Sequence, residues 1–354
     1  MSQWISRASL RWLWAGVLRT TGCLWWAKRQ LRRGGAVVVV MLHRVLDDDA
    51  LRRTHSLPYI VVRRGTFERF VTWLVRHNEV IDVRHGHART PANGRLRVAV
   101  TFDDGWQDNY STAMPILRAH GVPATLFICP GLMSAHAPFW PERVLAMLRD
   151  SRTHASGMRA EVAIEKLKRY EPQRRDAVIA RLARRAGRRN AAVEPWDGDS
   201  TICWERARAM RHGGIGFGSH TWSHEILTTL TGQTARRELR VSRAAIEREM
   251  NECCDVLAYP NGDCSAESRR IVAEEGFRLA FTTSLGAWFA GTDRLAIPRV
   301  NVSEWKLTGP AGGFSPLMSD YMIFWKAWRA SRSHNAGSVR RPERSSWSER
   351  SSAH

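Results

Sequence analysis

Residues 97–105 read RVAVTFDDG, an apolar run from Arg97 to Phe102 that ends abruptly in Asp103, Asp104 and Gly105. The run predicts a buried strand, and the glycine predicts a turn just beyond it. Two adjacent carboxylates at such a strand end repel one another unless one binds a cation, which leaves the other free for proton transfer. Taken by itself, the same Asp-Asp-Gly triplet is also compatible with a plain cap and turn.

Working outward, residues 36–42 read AVVVVML, a β-branched run of the kind that fully buried parallel strands use, and His43 follows directly. Between the two runs, Thr66 to Arg76 places Phe67, Phe70, Val71, Leu74 and Val75 at helical spacing. Beyond them, Ser111–His120 predicts a helix, Gly121-Val122-Pro123 a turn and Ala124–Cys129 a strand. From Trp140 to about Arg211 the pattern turns mostly helical and basic, with breaks at Ser156-Gly157, Pro172 and Pro195, which predicts an insertion over 141–211. Alternation then resumes, with strands over 215–219, 256–259 and 279–283 and helices over 234–250 and 266–275. No internal repeat is present. Strand-then-helix units argue for an α/β fold with a parallel sheet and helices outside it, open or closed into a barrel.

Ligands of such folds gather at the carboxyl ends of the strands, so two further polar clusters matter. Gly218 to His224 reads GSHTWSH, and if a helix began there His220 and His224 would share one face and present two imidazoles to one divalent ion. Alone, the pair is equally a structural coincidence. Asp plus two His is a zinc-type donor set with positions left open, and by ligand type it also suits cobalt, manganese or iron. Leu257 to Gly262 reads LAYPNG, where Pro and Gly fix a turn that either aims a backbone N–H at a developing oxyanion or is simply a tight connection.

The 354 residues are 44% hydrophobic and 25% charged, which excludes wholesale disorder. Fifty-four Lys and Arg against 34 Asp and Glu give a net charge of +20 and favour anionic partners. No basic run interleaved with aromatics, helix-turn-helix or zinc-finger spacing is present, so no specific nucleic-acid partner is expected. Residues 1–33 carry Arg7, Arg11, Arg19, Lys28, Arg29, Arg32 and Arg33 with no acid, and 142–192 carry 14 positive against six negative residues. The terminus also holds Trp4, Trp12, Trp14, Trp25 and Trp26, broken by arginines that rule out a spanning run. It suits either a helix lying in a membrane interface or one packed on the domain with its Trp face buried. Six dispersed cysteines without a C-x-x-C pair point to a reducing compartment, hence a cytoplasmic location, peripheral at the inner membrane face if the terminus binds lipid. The predicted organisation is a basic Trp-rich helical segment over 1–35, the main domain over 36–305, a helical segment over 306–330 and a disordered tail over 331–354.

The complete T-F-D-D-G motif at 101–105 and H-T-W-S-H at 220–224, in this order and far apart, resemble the polysaccharide deacetylases with a NodB homology domain, carbohydrate esterase family four. The resemblance covers about 36–303, including the Phe139-Trp140 start of a helical insertion like that of exopolysaccharide-locus members. It implies a distorted, incomplete (β/α) barrel and metal-dependent removal of N-acetyl groups from an N-acetylhexosamine in a bacterial polysaccharide or its lipid-linked precursor. Carried over residue by residue, Asp103 is the base and Asp104, His220 and His224 hold the metal, zinc being the first expectation. The metal and the backbone N–H of Asn261 would share the oxyanion.

The chain departs from the family pattern at Ala258 and Asn261, where an arginine and an aromatic are usual, and it lacks a late L-x-H motif, since Leu295 is followed by AIPRVNV. His43, at the end of the first strand, is expected as the acid through an early Y-H-type motif, the other reading being a strand-end histidine that satisfies a loop carbonyl. Arg299 either orients Asp103 by bidentate pairing or is a surface arginine. Tyr259 and Trp222 suit a sugar subsite or an aromatic core role. Two other readings stand beside the deacetylase: an amidohydrolase on a non-sugar amide, and a glycan-binding or assembly factor that keeps the fold without turnover.

Overall fold

The structure is a computed structural model describing residues 7–88, 94–133, 139–148, 154–185 and 197–335. Ten strands form: β1 Val37–Leu42, β2 Arg44–Leu46, β3 Val61–Arg63, β4 Glu79–Ile81, β5 Arg97–Phe102, β6 Ala124–Ile128, β7 Ile215–Ser219, β8 Val256–Ala258, β9 Leu279–Phe281 and β10 Val300–Asn301. The helices are α1 Arg7–Thr20, α2 Cys23–Arg33, α3 Asp48–Arg53, α4 Arg64–His77, α5 Met114–Ala119, α6 Trp140–Leu148, α7 His154–Leu167, α8 Pro172–Arg185, α9 Trp204–His212, α10 Gly232–Met250, α11 Ala266–Glu274, α12 Glu304–Leu307, α13 Pro316–Ser319 and α14 Lys326–Asn335.

Eight strands pair in parallel in the order β10-β1-β5-β6-β7-β8-β9, with β4 alongside the first half of β5. The sheet curls because its two ends meet through one segment: Ile297 bridges Phe281 of β9, and three residues later Val300 pairs with Val40 of β1. This is a distorted, incomplete (β/α) barrel, as the family resemblance implies, with the parallel sheet that the strand and helix alternation predicts.

Strand side chains alternate between faces, so each strand feeds two cores. Val37 and Val39 point inward with Ala99, Phe127, Ala258, Leu279 and Phe281, filling the barrel. Val38, Val40 and Leu42 point outward to the helices, against Phe67, Phe70 and Leu74 of α4. Each fully buried Val, Leu or Phe contributes about 1.5–3 kcal/mol by area bookkeeping. At Gly218 of β7 an added Cβ would lie 2.7 Å from the Phe127 ring, so the barrel interior leaves room for hydrogen alone.

The insertion forms its own apolar cluster, in which Val144 and Leu145 of α6, Ala160, Ile164 and Leu167 of α7 and Ile179 of α8 are joined by Leu57 from the segment before β3. The last helix expected within it, α9, instead puts Ala207 and Met210 into the main core. Two further details differ from the sequence reading. The helix expected over 111–120 opens as a wide π turn, Asn109–Ala113, before α5, and α14 carries helix to Asn335, past the expected start of the tail at 331. Residues 336–354 lie outside the described residues.

Arg44 ties these parts together. It is fully buried, its Nε donates to Asp108 at 2.9 Å, its guanidinium also pairs with Asp199 in the last part of the insertion, and its Cζ sits 4.4 Å from the Trp106 ring centroid. Removing one partner of a buried ion network strands the others. Arg44→Ala is expected to destabilise the fold by about 3–5 kcal/mol in urea unfolding, and a loss below about 1 kcal/mol would show that Asp108 and Asp199 do not depend on it.

Candidate active site

Inward parity, extended one step past each strand, builds the site. His43 continues Val37, Val39 and Met41; Asp103 continues Ala99 and Thr101; His220 continues Gly216 and Gly218. Ladder hydrogen bonds continue with them: Asp103 N–H donates to Leu42 O at 3.0 Å and His220 N–H to Ile128 O at 2.8 Å. Asp104 then turns with φ 75° and Gly105 with φ 73°, consecutive left-handed residues that swing the second carboxylate towards the imidazoles.

The structure brings Asp104, His220 and His224 together, with one ligand atom from each within 4.8 Å of the others. His220 Nε2 lies 3.4 Å and His224 Nε2 3.3 Å from the same Asp104 Oδ1. Asp104 Oδ2 accepts from Trp106 Nε1 at 2.9 Å. His220 Nδ1 is 2.7 Å from the Ala258 carbonyl, which fixes the proton on Nδ1 and leaves the Nε2 lone pair facing Asp104. One carboxylate oxygen, two convergent imidazole nitrogens and a carbonyl fixing one tautomer fit a divalent cation. Burial works to raise the Asp104 carboxyl, but the imidazoles of His220 and His224 beside it outweigh this and hold the group well below the usual range.

The histidines do not share a helical face. Residues 220–224 form a loop with Thr221 at φ 64° and His224 at φ 61°, so the helix expected to start there is replaced by two left-handed turns. Glu238 of α10 holds that loop, accepting from the backbone N–H groups of Trp222 and Ser223 at 3.0 and 2.9 Å and from the Ser223 hydroxyl at 2.9 Å.

Asp103 is gripped from the other side. Arg299, 0% exposed, donates Nη1 to Oδ1 and Nη2 to Oδ2, both at 2.7 Å, while its Nε donates to Thr282 O at 2.9 Å. Burial raises the Asp103 carboxyl, but the Arg299 charge overcomes this and lowers it. His43 lines the same cleft, its Nδ1 buried without a hydrogen-bond partner among the described residues. Burial pulls its imidazole below the ordinary value against the charges of Asp104 and Asp103. Asn261 also lines the cleft with φ 59°, its carbonyl accepting from Thr283 Oγ1 at 3.1 Å and its side chain donating to Asp263. Tyr259 is 1% exposed and donates its hydroxyl to Leu295 O at 2.9 Å, a core placement with one edge on the cleft.

A curled parallel sheet with a carboxylate and imidazole cluster at the carboxyl ends of its strands defines a class of barrel proteins built around a polar centre. A family model described as Polysaccharide deacetylase matches residues 91–280, more than half of the sequence, and the chain belongs to that family. It is 23% identical over 216 residues to YxkH of Bacillus subtilis (strain 168), a candidate polysaccharide deacetylase, covering 61% of this chain and 54% of that one. The match thus spans about half of that relative's length. Among solved structures, the Streptococcus pyogenes deacetylase PplD in complex with acetate aligns at a TM-score of 0.53 and 17% identity, over 79% of this chain and 99% of the other. IcaB from Ammonifex degensii aligns at 0.52 and 18%, over 84% and 97%. At such identities the likeness is one of fold.

Glu142 escaped the sequence reading. It sits in the first turn of α6, 5% exposed, and lines the cleft with Asp104 and His224, with no side-chain hydrogen bond or ion pair to another described residue. Burial first, then the Asp104 charge, pushes its carboxyl up to about 8, against Arg44 and with Asp199 adding to the rise. The Phe139-Trp140 pair quoted from the sequence stands just before it, and the Phe139 ring lies 5.3 Å from His224.

The unfolded chain releases the Glu142 proton near 4.5 and the folded chain near 8, so the folded state binds more protons in between and stability falls as pH rises. In chelator-treated protein, unfolding free energy should drop by on the order of 3 kcal/mol from about pH 5 to pH 8 relative to Glu142→Gln. Parallel pH profiles for the two proteins would show that Glu142 is ionised in the fold.

Proposed function

We propose that the chain is a metal-dependent hydrolase that removes N-acetyl groups from an N-acetylhexosamine in a bacterial polysaccharide or its lipid-linked precursor. The observation that carries this reading is the adjacency of two differently held carboxylates: Asp104 against two imidazole Nε2 atoms, and Asp103 against a buried arginine. Neighbouring carboxylates in one cleft are thereby given separate tasks.

Asp104, His220 and His224 would hold the cation, which when bound supplies Lewis acidity to the amide carbonyl and to water. Zinc is the first expectation for this donor set, with cobalt, manganese and iron sharing its ligand preferences. Asp103, kept ionised and fixed in direction by both Arg299 Nη groups, takes the proton of the water that attacks the acetyl carbon. The Asn261 backbone N–H, on a left-handed turn at the cleft edge, donates to the carbonyl oxygen as negative charge develops there. Collapse breaks the C–N bond, and the proton taken by Asp103 is relayed through the neutral His43 to the departing nitrogen, so that acetate and a free amine result and Asp103 is ionised again. Arg299 acts through Asp103 and is a positioning residue.

The test is acetate release from a panel of N-acetylated oligosaccharides and lipid-linked amino sugars, with and without chelator. Asp103→Asn should lower turnover by roughly 10²–10⁴-fold while metal content by atomic absorption stays at the wild-type level. A wild-type protein that binds metal and glycan but releases no acetate from any member of the panel would instead be the non-catalytic glycan factor.

A further inference from the structure

The first two helices leave an apolar face uncovered. Leu10, Leu13, Trp14 and Val17 of α1 recur at i, i+3, i+4 and i+7 and are 53, 50, 50 and 48% exposed, and Trp25 of α2 is 66% exposed. A different stripe of α1, Ala15 and Leu18, is buried against Met318, Tyr321 and Met322. The helix therefore carries two apolar stripes about a third of a turn apart, and the domain covers one. The helix packs on the domain, but not through a buried Trp face: Trp12, Trp14, Trp25 and Trp26 stay exposed beside leucine and valine. Of eleven large apolar side chains exposed among the described residues, seven lie in α1 and α2.

The segment's own charge has one sign, although Asp320 of the domain pairs with Lys28 at 3.5 Å. Residues 1–33 hold seven basic residues and no acid, and Arg19, Arg32 and Arg33 are exposed. Arg29 lies 5.3 Å from the Trp25 ring centroid, and Trp26 packs edge-on at 4.7 Å against Trp328, itself covered by Arg332. The packed stripe of α1 reaches the site's side of the barrel. The Arg11 guanidinium stacks 4.6 Å from Trp305, just beyond β10, whose last residue, Asn301, lines the cleft.

We propose that α1 and α2 seat this face on an anionic lipid surface, lying flat in the interface with the β10 rim of the cleft beside the head groups. Amphipathic indoles suit head-group depth, leucine and valine suit the acyl boundary, and arginines suit anionic phosphates. No described helix is long and apolar enough to cross a membrane, which fits a helix lying in the plane. A second copy is disfavoured as occupant, because pairing two acid-free basic segments brings like charges together. What is delivered to the cleft, a lipid-linked amino sugar, rests on the deacetylase reading; the seating itself does not.

The full chain should co-sediment with phosphatidylcholine vesicles containing about 30% phosphatidylglycerol, and far less with pure phosphatidylcholine or in about 1 M salt. Replacing Leu13, Trp14 and Val17 together by Ser should cut partitioning at least tenfold while the thermal midpoint and acetate release from a soluble oligosaccharide stay unchanged. Arg19→Gln with Arg33→Gln, which leaves the apolar stripe intact, should cut it threefold or more. Equal sedimentation with neutral and anionic vesicles, no sedimentation of the wild type, or a light-scattering dimer that the Ser variant abolishes would each overturn the proposal. Failure of the acetate assay on every sugar with lipid binding intact would sink the deacetylase reading and leave this one standing.

Discussion

The site depends on a ladder of parallel strands that runs one residue further than the strands themselves. Asp103 N–H reaches Leu42 O, His220 N–H reaches Ile128 O, Tyr259 N–H reaches Phe281 O and Val302 N–H reaches Met41 O, all between 2.8 and 3.0 Å. Each bond fixes the first residue past a strand before the loop is free to wander. Since parallel strands share a direction, those residues come out at one edge of the barrel, and since side chains alternate, His43, Asp103 and His220 face its axis. Hydrogen bonding of the peptide groups thus converges groups lying far apart in the chain.

Convergence buries charge, and buried charge must be matched. Asp103 answers to Arg299, Asp104 to two imidazoles and an indole N–H, and Arg44 to Asp108 and Asp199. These networks interlock. Asp108 accepts the Val45 N–H at 2.7 Å, Asn109 donates to the His43 carbonyl at 2.7 Å, and Trp106, stacked on Arg44, holds Asp104. The strand end bearing His43 and the turn bearing Asp104 are therefore braced against each other. Glu142 is the exception, a buried carboxyl without an ion-pair partner among the described residues, and burial favours its neutral form.

Runs such as AVVVVML and RVAVTF announced β1 and β5 to within a residue, because a strand buried on both faces has no polar position to blur its pattern. The Asp-Asp-Gly and His pair were legible for the same reason, as polar breaks at the ends of such runs. The loop at 220–224 was not, since its left-handed turns are held by Glu238, a carboxylate 14 residues on from His224 that reads as an ordinary helix-surface acid. Arg44 was equally hidden: one arginine between His43 and Val45 gives no sign that its partners come from 108 and 199. Glu142 is buried only because the insertion folds over the barrel, a tertiary fact without a local signature.

That last point separates two kinds of residue around the cleft. Those of the barrel edge are set by peptide ladders and tolerate little change, because moving one shifts a strand register. Those of the insertion are set by side-chain contacts, Arg175 on Glu225 at 2.7 and 2.8 Å, Arg44 on Asp199, and apolar packing on Leu57 and Trp106, which fasten the helical cluster onto the rim. These contacts bring Phe139 against His224 and line the cleft with Trp140 and Ile164, giving it an apolar wall that β1 and β5 do not supply. A rim attached through side chains can change its lining without disturbing the ladder. It follows that the polar groups of the cleft and its apolar wall reside in separate layers of this molecule, the first set by backbone pairing and the second by how the insertion is pinned.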